Sequence, residues 1–74
     1  MSIDEMMRSI SLNISYYRKQ NKLSQRQLAD LIGLSYSHMS HIEAPNMPIS
    51  CSVEVLLRIA AALQIEPSLL FQMR

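Results

Sequence analysis

Apolar residues recur at helical spacing along most of this 74-residue chain, and no stretch keeps the strict alternation of a half-buried strand. The pattern predicts a first helix over residues 4–20, a short linker at 21–23, and two short helices between 24 and 43. The predicted core-facing stripe of the first helix consists of Ile3, Met6, Met7, Ile10, Ile14 and Tyr17. We therefore expect an all-α fold.

The second half of the chain is predicted to contain a loop and two more helices. Pro45 and Pro48 indicate a loop over residues 44–51, because proline is not tolerated in a helix interior. Ser50 or Ser52 is expected to cap the fourth helix. That helix ends near Gln64, and its core stripe consists of Leu56, Ile59, Ala60 and Leu63. Pro67 suits the first turn of a last short helix that runs through Phe71.

The two short helices in the middle of the chain meet at Gly33, the only glycine in the sequence. Ser24 and Gln27 have the spacing of a capping box at the start of the first of them. Gly33 follows its last apolar position, where a left-handed C-cap favours glycine. Ser35 then caps the second short helix. The inward positions of the pair are Leu28, Ala29, Leu31, Ile32, Leu34, Met39 and Ile42.

The outer face of the second short helix is polar and carries no carboxylate. A helix–turn–helix with such a second helix is typical of proteins that place it in the DNA major groove. Tyr36, Ser37 and His41 are predicted to contact base edges, because their side chains can donate or accept hydrogen bonds. His38 and Ser40 are predicted to contact the DNA backbone. Since arginine, lysine, glutamine and asparagine are absent from this face, DNA shape and water should carry part of the specificity.

Charge is unevenly distributed, although the net charge is only +1. Residues 6–29 contain Arg8, Arg18, Lys19, Lys22 and Arg26 and no acidic residue, whereas all six acidic residues lie elsewhere. This basic segment leads into the helix–turn–helix, where a phosphate backbone would lie. We therefore expect Lys19, Lys22 and Arg26 to contact DNA phosphates.

Together these positions resemble the Cro and lambda-repressor family of helix–turn–helix regulators. The matching residues are Gln25, Leu28, Ala29, Gly33, Met39, Ile42 and Glu43, with further likeness at Leu56, Ile59, Ala60, Leu63 and 69–71. The resemblance implies a five-helix lambda-repressor-like DNA-binding domain that spans residues 1–74 as a single domain. It further implies that Gln25 bonds a phosphate and that Arg18 forms a structural ion pair with Glu43.

The apolar C-terminal segment predicts either completion of the core or contact with a second copy of the chain. Related small regulators dimerise through their last two helices, so the resemblance favours a homodimer. The residues predicted for the dimer interface are Ile65, Leu69, Leu70, Phe71 and Met73.

The sequence thus favours a cytoplasmic, sequence-specific transcriptional regulator that binds double-stranded DNA as a homodimer on a pseudo-palindromic operator. Two alternatives stay open: an antitoxin of the same fold whose main partner is a toxin, and a protein-interaction module that kept the helix–turn–helix for packing. No catalytic constellation, cofactor motif or membrane span is expected. His38 and His41 lack further ligands for a metal site, and Cys51 is alone, so no intrachain disulfide is possible.

Overall fold

The computed structural model describes residues 1–44 and 51–73, which form four α-helices and a terminal 3₁₀ helix. The elements are α1 (Ile3–Gln20), α2 (Gln25–Ile32), α3 (Tyr36–Glu43), α4 (Val53–Leu63) and the 3₁₀ helix (Pro67–Phe71). The all-α class is confirmed. The expectation of five α-helices is corrected at the last element, where five residues behind a proline form only the tighter 3₁₀ turn.

The turn between α2 and α3 has the predicted local chemistry. The Ser24 hydroxyl accepts from the Gln27 backbone N–H at 3.0 Å, and the Gln27 side chain accepts from the Ser24 N–H at 2.8 Å. Gly33 adopts the left-handed conformation, with φ 72° and ψ 32°, and its N–H donates to carbonyls of the last turn of α2. The Ser35 hydroxyl caps α3 by accepting from the His38 N–H at 3.1 Å. The capping box and the glycine turn are therefore confirmed.

Of the two candidate caps for the fourth helix, Ser52 caps α4, and its hydroxyl accepts from the Val55 N–H at 3.1 Å. Most of the predicted loop, including Ser50, lies outside the described residues.

One core joins all the elements. Within the described residues it consists of Ile14, Leu28, Ala29, Ile32, Met39, Ile42, Leu56, Ile59, Ala60, Leu63 and Leu70. Two predicted core positions are wrong. Leu31 is 62% exposed, because α2 buries only the face that carries Leu28, Ala29 and Ile32. Ile3 is exposed because the first turn of α1 extends past the core.

Helix α1 buries polar as well as apolar residues. The Ser11 hydroxyl donates to the Ile42 carbonyl at 2.7 Å, near the end of α3. The Asn13 amide donates to the carbonyls of Leu70 at 2.9 Å and Gln72 at 2.7 Å. Because the last carbonyls of a helix lack partners within it, these side chains satisfy groups that would otherwise be buried without hydrogen bonds. Helix α1 therefore holds α3 and the C-terminal segment in place.

The start of α1 is a second capping box, which the sequence analysis did not identify. The Ser2 hydroxyl accepts from the Glu5 N–H at 3.1 Å, and the Glu5 carboxylate accepts from the Ser2 N–H at 3.0 Å. The hydrogen bonds from the Ser2 backbone and side chain lower the pKa of Glu5.

No helix in residues 1–44 or 51–73 combines the length and the apolar character needed to cross a membrane.

Candidate nucleic-acid interface

Helix α3 presents a polar face to solvent and an apolar face to the core. Met39 and Ile42 are buried. Tyr36, Ser37 and His41, the residues predicted to contact bases, are exposed. His38 and Ser40, predicted to contact the DNA backbone, lie half-buried at the edges of this face. The structure therefore places all five predicted contact residues outside the core on one short helix.

The only carboxylate of α3 is removed from this face by a buried ion pair. The Glu43 carboxylate accepts from Arg18 Nε at 2.7 Å and from Arg18 Nη2 at 2.9 Å, and the two side chains are 3% and 10% exposed. Arg18 Nη1 donates to the Leu23 carbonyl at 2.7 Å. The pair thus joins α1, the α1–α2 linker and the last turn of α3. It also neutralises a charge that would repel phosphate.

Gln25 joins this network at the first residue of α2. Its Nε2 donates to Glu43 Oε1 at 3.2 Å, and the amide has a second N–H by its chemistry. An open depression of about 480 Å³ lies here and is lined by Arg18, Ser24, Gln25, Arg26 and Tyr36. The Arg26 guanidinium beside a helix N-terminus makes an environment that suits an anion, whereas the charge of Arg18 is already neutralised by Glu43. Gln25 and Arg26, both predicted to contact phosphates, therefore lie together.

A contact that the sequence analysis missed joins Arg26 to Tyr36. The Arg26 guanidinium carbon lies 4.7 Å from the centroid of the Tyr36 ring, which is a cation–π distance. The two residues are ten positions apart, on different helices, so helical periodicity cannot indicate the contact. In the sequence, only the turn predicted at Gly33 indicates that α2 and α3 lie close together.

The two remaining predicted phosphate contacts lie before α2. Lys19 is exposed on the last turn of α1, and Lys22 is exposed in the linker. Lys22 has a left-handed backbone with φ 59°, and its N–H donates to the Lys19 carbonyl at 2.9 Å. Both ammonium groups therefore belong to the segment that leads into the depression at the start of α2.

The predicted dimer residues divide into three groups by exposure. Phe71 and Met73 are 50% and 41% exposed, and Ile65 and Leu69 are half-buried. Leu70 has no exposed surface, so its prediction as an interface residue is wrong. Its side chain completes the core of its own chain, and its carbonyl accepts from Asn13.

Metal and thiol chemistry have little support in the described part of the chain. No group of three His, Cys, Asp or Glu residues there could hold a metal ion. Cys51 is half-buried against the core, and burial raises the pKa of its thiol. The thiol therefore stays protonated, and poorly nucleophilic, near neutral pH.

The fold matches that of known helix–turn–helix proteins. The helix–turn–helix family profile matches residues 14–70. The crystal structure of the restriction-modification controller protein C.AhdI from Aeromonas hydrophila superposes with a TM-score of 0.80 at 32% identity, covering 88% of this chain and 96% of that one. The hypothetical transcription factor NHTF from Neisseria superposes with a TM-score of 0.84 at 22% identity, covering 95% of this chain and 78% of that one. Among curated proteins, none matches the chain significantly.

The chain belongs to the Cro/lambda-repressor type of helix–turn–helix family. Its fold is that of DNA-binding transcriptional regulators of the helix–turn–helix type.

Proposed function

We propose that this protein is a sequence-specific transcriptional regulator that binds double-stranded DNA as a homodimer on a pseudo-palindromic operator. One α3 helix of each chain enters the major groove. The observation that carries this proposal is the exposed, acid-free face of α3. Its single carboxylate, Glu43, is buried in the ion pair with Arg18, so the helix can approach phosphates without charge repulsion.

Base recognition in this proposal depends on Tyr36, Ser37 and His41. These side chains are exposed on α3 and offer hydrogen-bond donors and acceptors to base edges. None of them makes the bidentate contact that arginine or glutamine makes with a base pair. Sequence-dependent DNA shape and bridging water therefore contribute a substantial part of the specificity.

Phosphate contacts in this proposal surround the start of α2. The Gln25 amide and the first backbone N–H groups of α2 donate to one phosphate, beside the Arg26 guanidinium. Lys19 and Lys22 contact the backbone on the α1 side of this depression. His38 and Ser40 contact the sugar–phosphate backbone from the edges of α3.

The proposed dimer uses the apolar surface at the C-terminal end of the chain. Phe71 and Met73 are exposed there, and Met73 lines a depression of about 140 Å³ with Leu12 of α1 and the charged residues Glu5 and Arg8. Tyr16 lies one turn further along α1 and is also exposed. Exposed apolar patches of this kind mark interfaces, and a two-fold arrangement covers the same patch on both chains.

Of the open alternatives, the comparison with the controller protein favours a regulator over an antitoxin. The likeness is 32% in sequence and spans 96% of the controller chain. We infer the same kind of role here: a small regulator that acts in the cytoplasm at its own promoter, with the dimer equilibrium providing concentration dependence.

A gel-shift titration with the DNA upstream of its gene, compared with scrambled DNA of equal length, tests the proposal. We expect the protein to shift the upstream DNA at lower concentration. Ser37→Glu should abolish this shift, because it places a carboxylate on the face of α3 that enters the groove. Leu31→Glu adds the same charge on the exposed side of α2 and should retain binding. No shift of either DNA by the parent protein would support the protein-interaction alternative instead, and equal binding of both DNAs would contradict sequence specificity.

A further inference from the structure

Arg26 and Tyr36 connect two parts of the candidate interface that otherwise have different roles. Arg26 is the second residue of α2 and lines the depression that suits a phosphate. Tyr36 is the first residue of α3 and is 46% exposed on the face proposed to read bases. The guanidinium lies over the ring, with its carbon 4.7 Å from the ring centroid.

We propose that Arg26 is a positioning residue for base recognition, because it fixes the Tyr36 ring while it contacts a phosphate. This inference rests on the proposed function. It differs from a simple phosphate contact, since it makes Arg26 contribute to the choice of DNA sequence.

The chemistry of the guanidinium group allows both contacts at once. The group is planar and directs its five N–H donors outward in its own plane, so its face can stack on a ring while its edge donates to phosphate oxygens. A lysine ammonium has no such face and cannot hold a ring in one orientation while it contacts a phosphate. Arg26 is therefore not replaceable by lysine in this role, although lysine keeps the charge.

The state of Tyr36 explains why it needs this support. Its side chain is 46% exposed at the start of α3, so burial does not fix the orientation of the ring. Stacking under the guanidinium restricts the ring before DNA arrives, which lowers the ordering cost of binding. The cation–π attraction also strengthens when DNA excludes water from the pair.

The two positively charged residues on either side of the α2 N-terminal cap make a matched comparison. Lys22 lies two residues before Ser24, and Arg26 lies two residues after it. Replacing either residue with alanine removes one positive charge, but only Arg26 stacks on a residue of α3. Loss of Lys22 should thus weaken binding to all DNA sequences alike. Loss of Arg26 should also reduce the discrimination between a selected site and random DNA.

The experiment measures the ratio of affinities for a site selected from random DNA and for random DNA itself. The variants are Arg26→Ala, Arg26→Lys, Lys22→Ala and Tyr36→Leu, with circular dichroism melts as the folding control. Based on the usual strength of cation–π contacts, Arg26→Lys should lower the ratio by about 2- to 30-fold while keeping the salt dependence of the parent. Lys22→Ala should flatten the salt dependence and leave the ratio unchanged.

A double-variant comparison isolates the contact. In the Tyr36→Leu background, Arg26→Lys should not change the ratio further, because the ring is absent. An unchanged ratio for Arg26→Lys in the parent, or an equal loss in the Tyr36→Leu background, would overturn the role of Arg26 and leave the proposed function intact. A parent protein that does not discriminate between selected and random DNA would overturn both.

Discussion

At the scale of single residues, the orientation of α3 depends on buried polar contacts made by α1. Arg18 and Ser11 contact the last turn of α3 from two different turns of α1. Arg18 is largely shielded from solvent, since only 10% of its side chain is exposed. A carboxylate and a guanidinium buried in this way are weak evidence for net stability, but removing either leaves the other without compensation.

Replacing Glu43 with alanine should lower the free energy of unfolding by about 1–3 kcal/mol, because Arg18 is left buried without a charged partner. The control is Glu54→Ala, which removes an exposed ion pair with Arg58 and should cost about 0.5 kcal/mol or less. Urea denaturation measures both. Equal midpoints for Glu43→Ala and the parent protein would show that the pair does not support the fold.

Replacing Gly33 with alanine should destabilise the protein by about 1–2 kcal/mol, because the residue has φ 72° and an added Cβ is strained there. The strain is local to the backbone, since no atom beyond Gly33 and its two neighbours in the chain lies within 4 Å of the Cβ position. Gly33→Asn is the matched variant and should cost less, because asparagine tolerates the left-handed region better. A melting temperature lower for Gly33→Asn than for Gly33→Ala would contradict this explanation.

At the scale of elements, the helix–turn–helix was predictable because its signals are local. The Ser24–Gln27 box, the turn at Gly33 and the Ser35 cap all act within four residues of the sequence. The elements themselves were also predictable from apolar spacing, with both ends of α1 and the C-terminal end of α4 correct to within one residue.

Other features were not predictable, since they depend on which face meets a neighbour. An apolar stripe cannot reveal that Ser11 and Asn13 are buried, because they bond to carbonyls 31 and 57 residues away. The burial of two apolar residues was also predicted wrongly: Leu31 was expected in the core and is exposed, and Leu70 was expected in an interface and is buried in the core. Both are leucines on short helices, but the packing of α2 exposes the first and that of the 3₁₀ helix buries the second. The Arg26–Tyr36 contact likewise depends on the angle between α2 and α3.

For α3 as a DNA-reading element, Ser37→Ala should change the preferred DNA sequence. It should lower the binding free energy by about 1–3 kcal/mol on the best site and by less on random DNA, because the serine hydroxyl is exposed on the face that meets base edges. Selection from random DNA with the variant measures the change. The control is Ser68→Ala, outside α3, which should return the parent sequence. Recovery of the parent motif at full strength by Ser37→Ala would show that Ser37 does not read bases.

At the scale of the whole molecule, two chains are needed to place two α3 helices on one face of DNA. Met73 of the C-terminal segment and Leu12 of α1 line the same depression, together with the charged residues Glu5 and Arg8. Asn13 bonds the carbonyls of Leu70 and Gln72 and thus fixes the segment that carries Phe71. The core of each chain and the proposed dimer surface are therefore linked through one buried amide.

Replacing Phe71 with glutamate should produce a folded monomer with much weaker operator binding, because it introduces a charge into the apolar dimer surface. Leu31→Glu is the matched control: it alters a similarly exposed apolar residue on α2 and should leave the dimer intact. Sedimentation velocity measures the mass of each. A monomeric parent protein at high micromolar concentration would contradict the dimer.

The central claim is that paired α3 helices read a pseudo-palindromic operator, and selection from random DNA by the purified protein tests it most directly. The account predicts an enriched inverted repeat whose half-sites lie about 34 Å, or roughly 10 base pairs, apart from centre to centre. Enrichment of a single unpaired half-site would contradict the dimeric arrangement. No enrichment of any sequence would contradict DNA recognition by α3 itself.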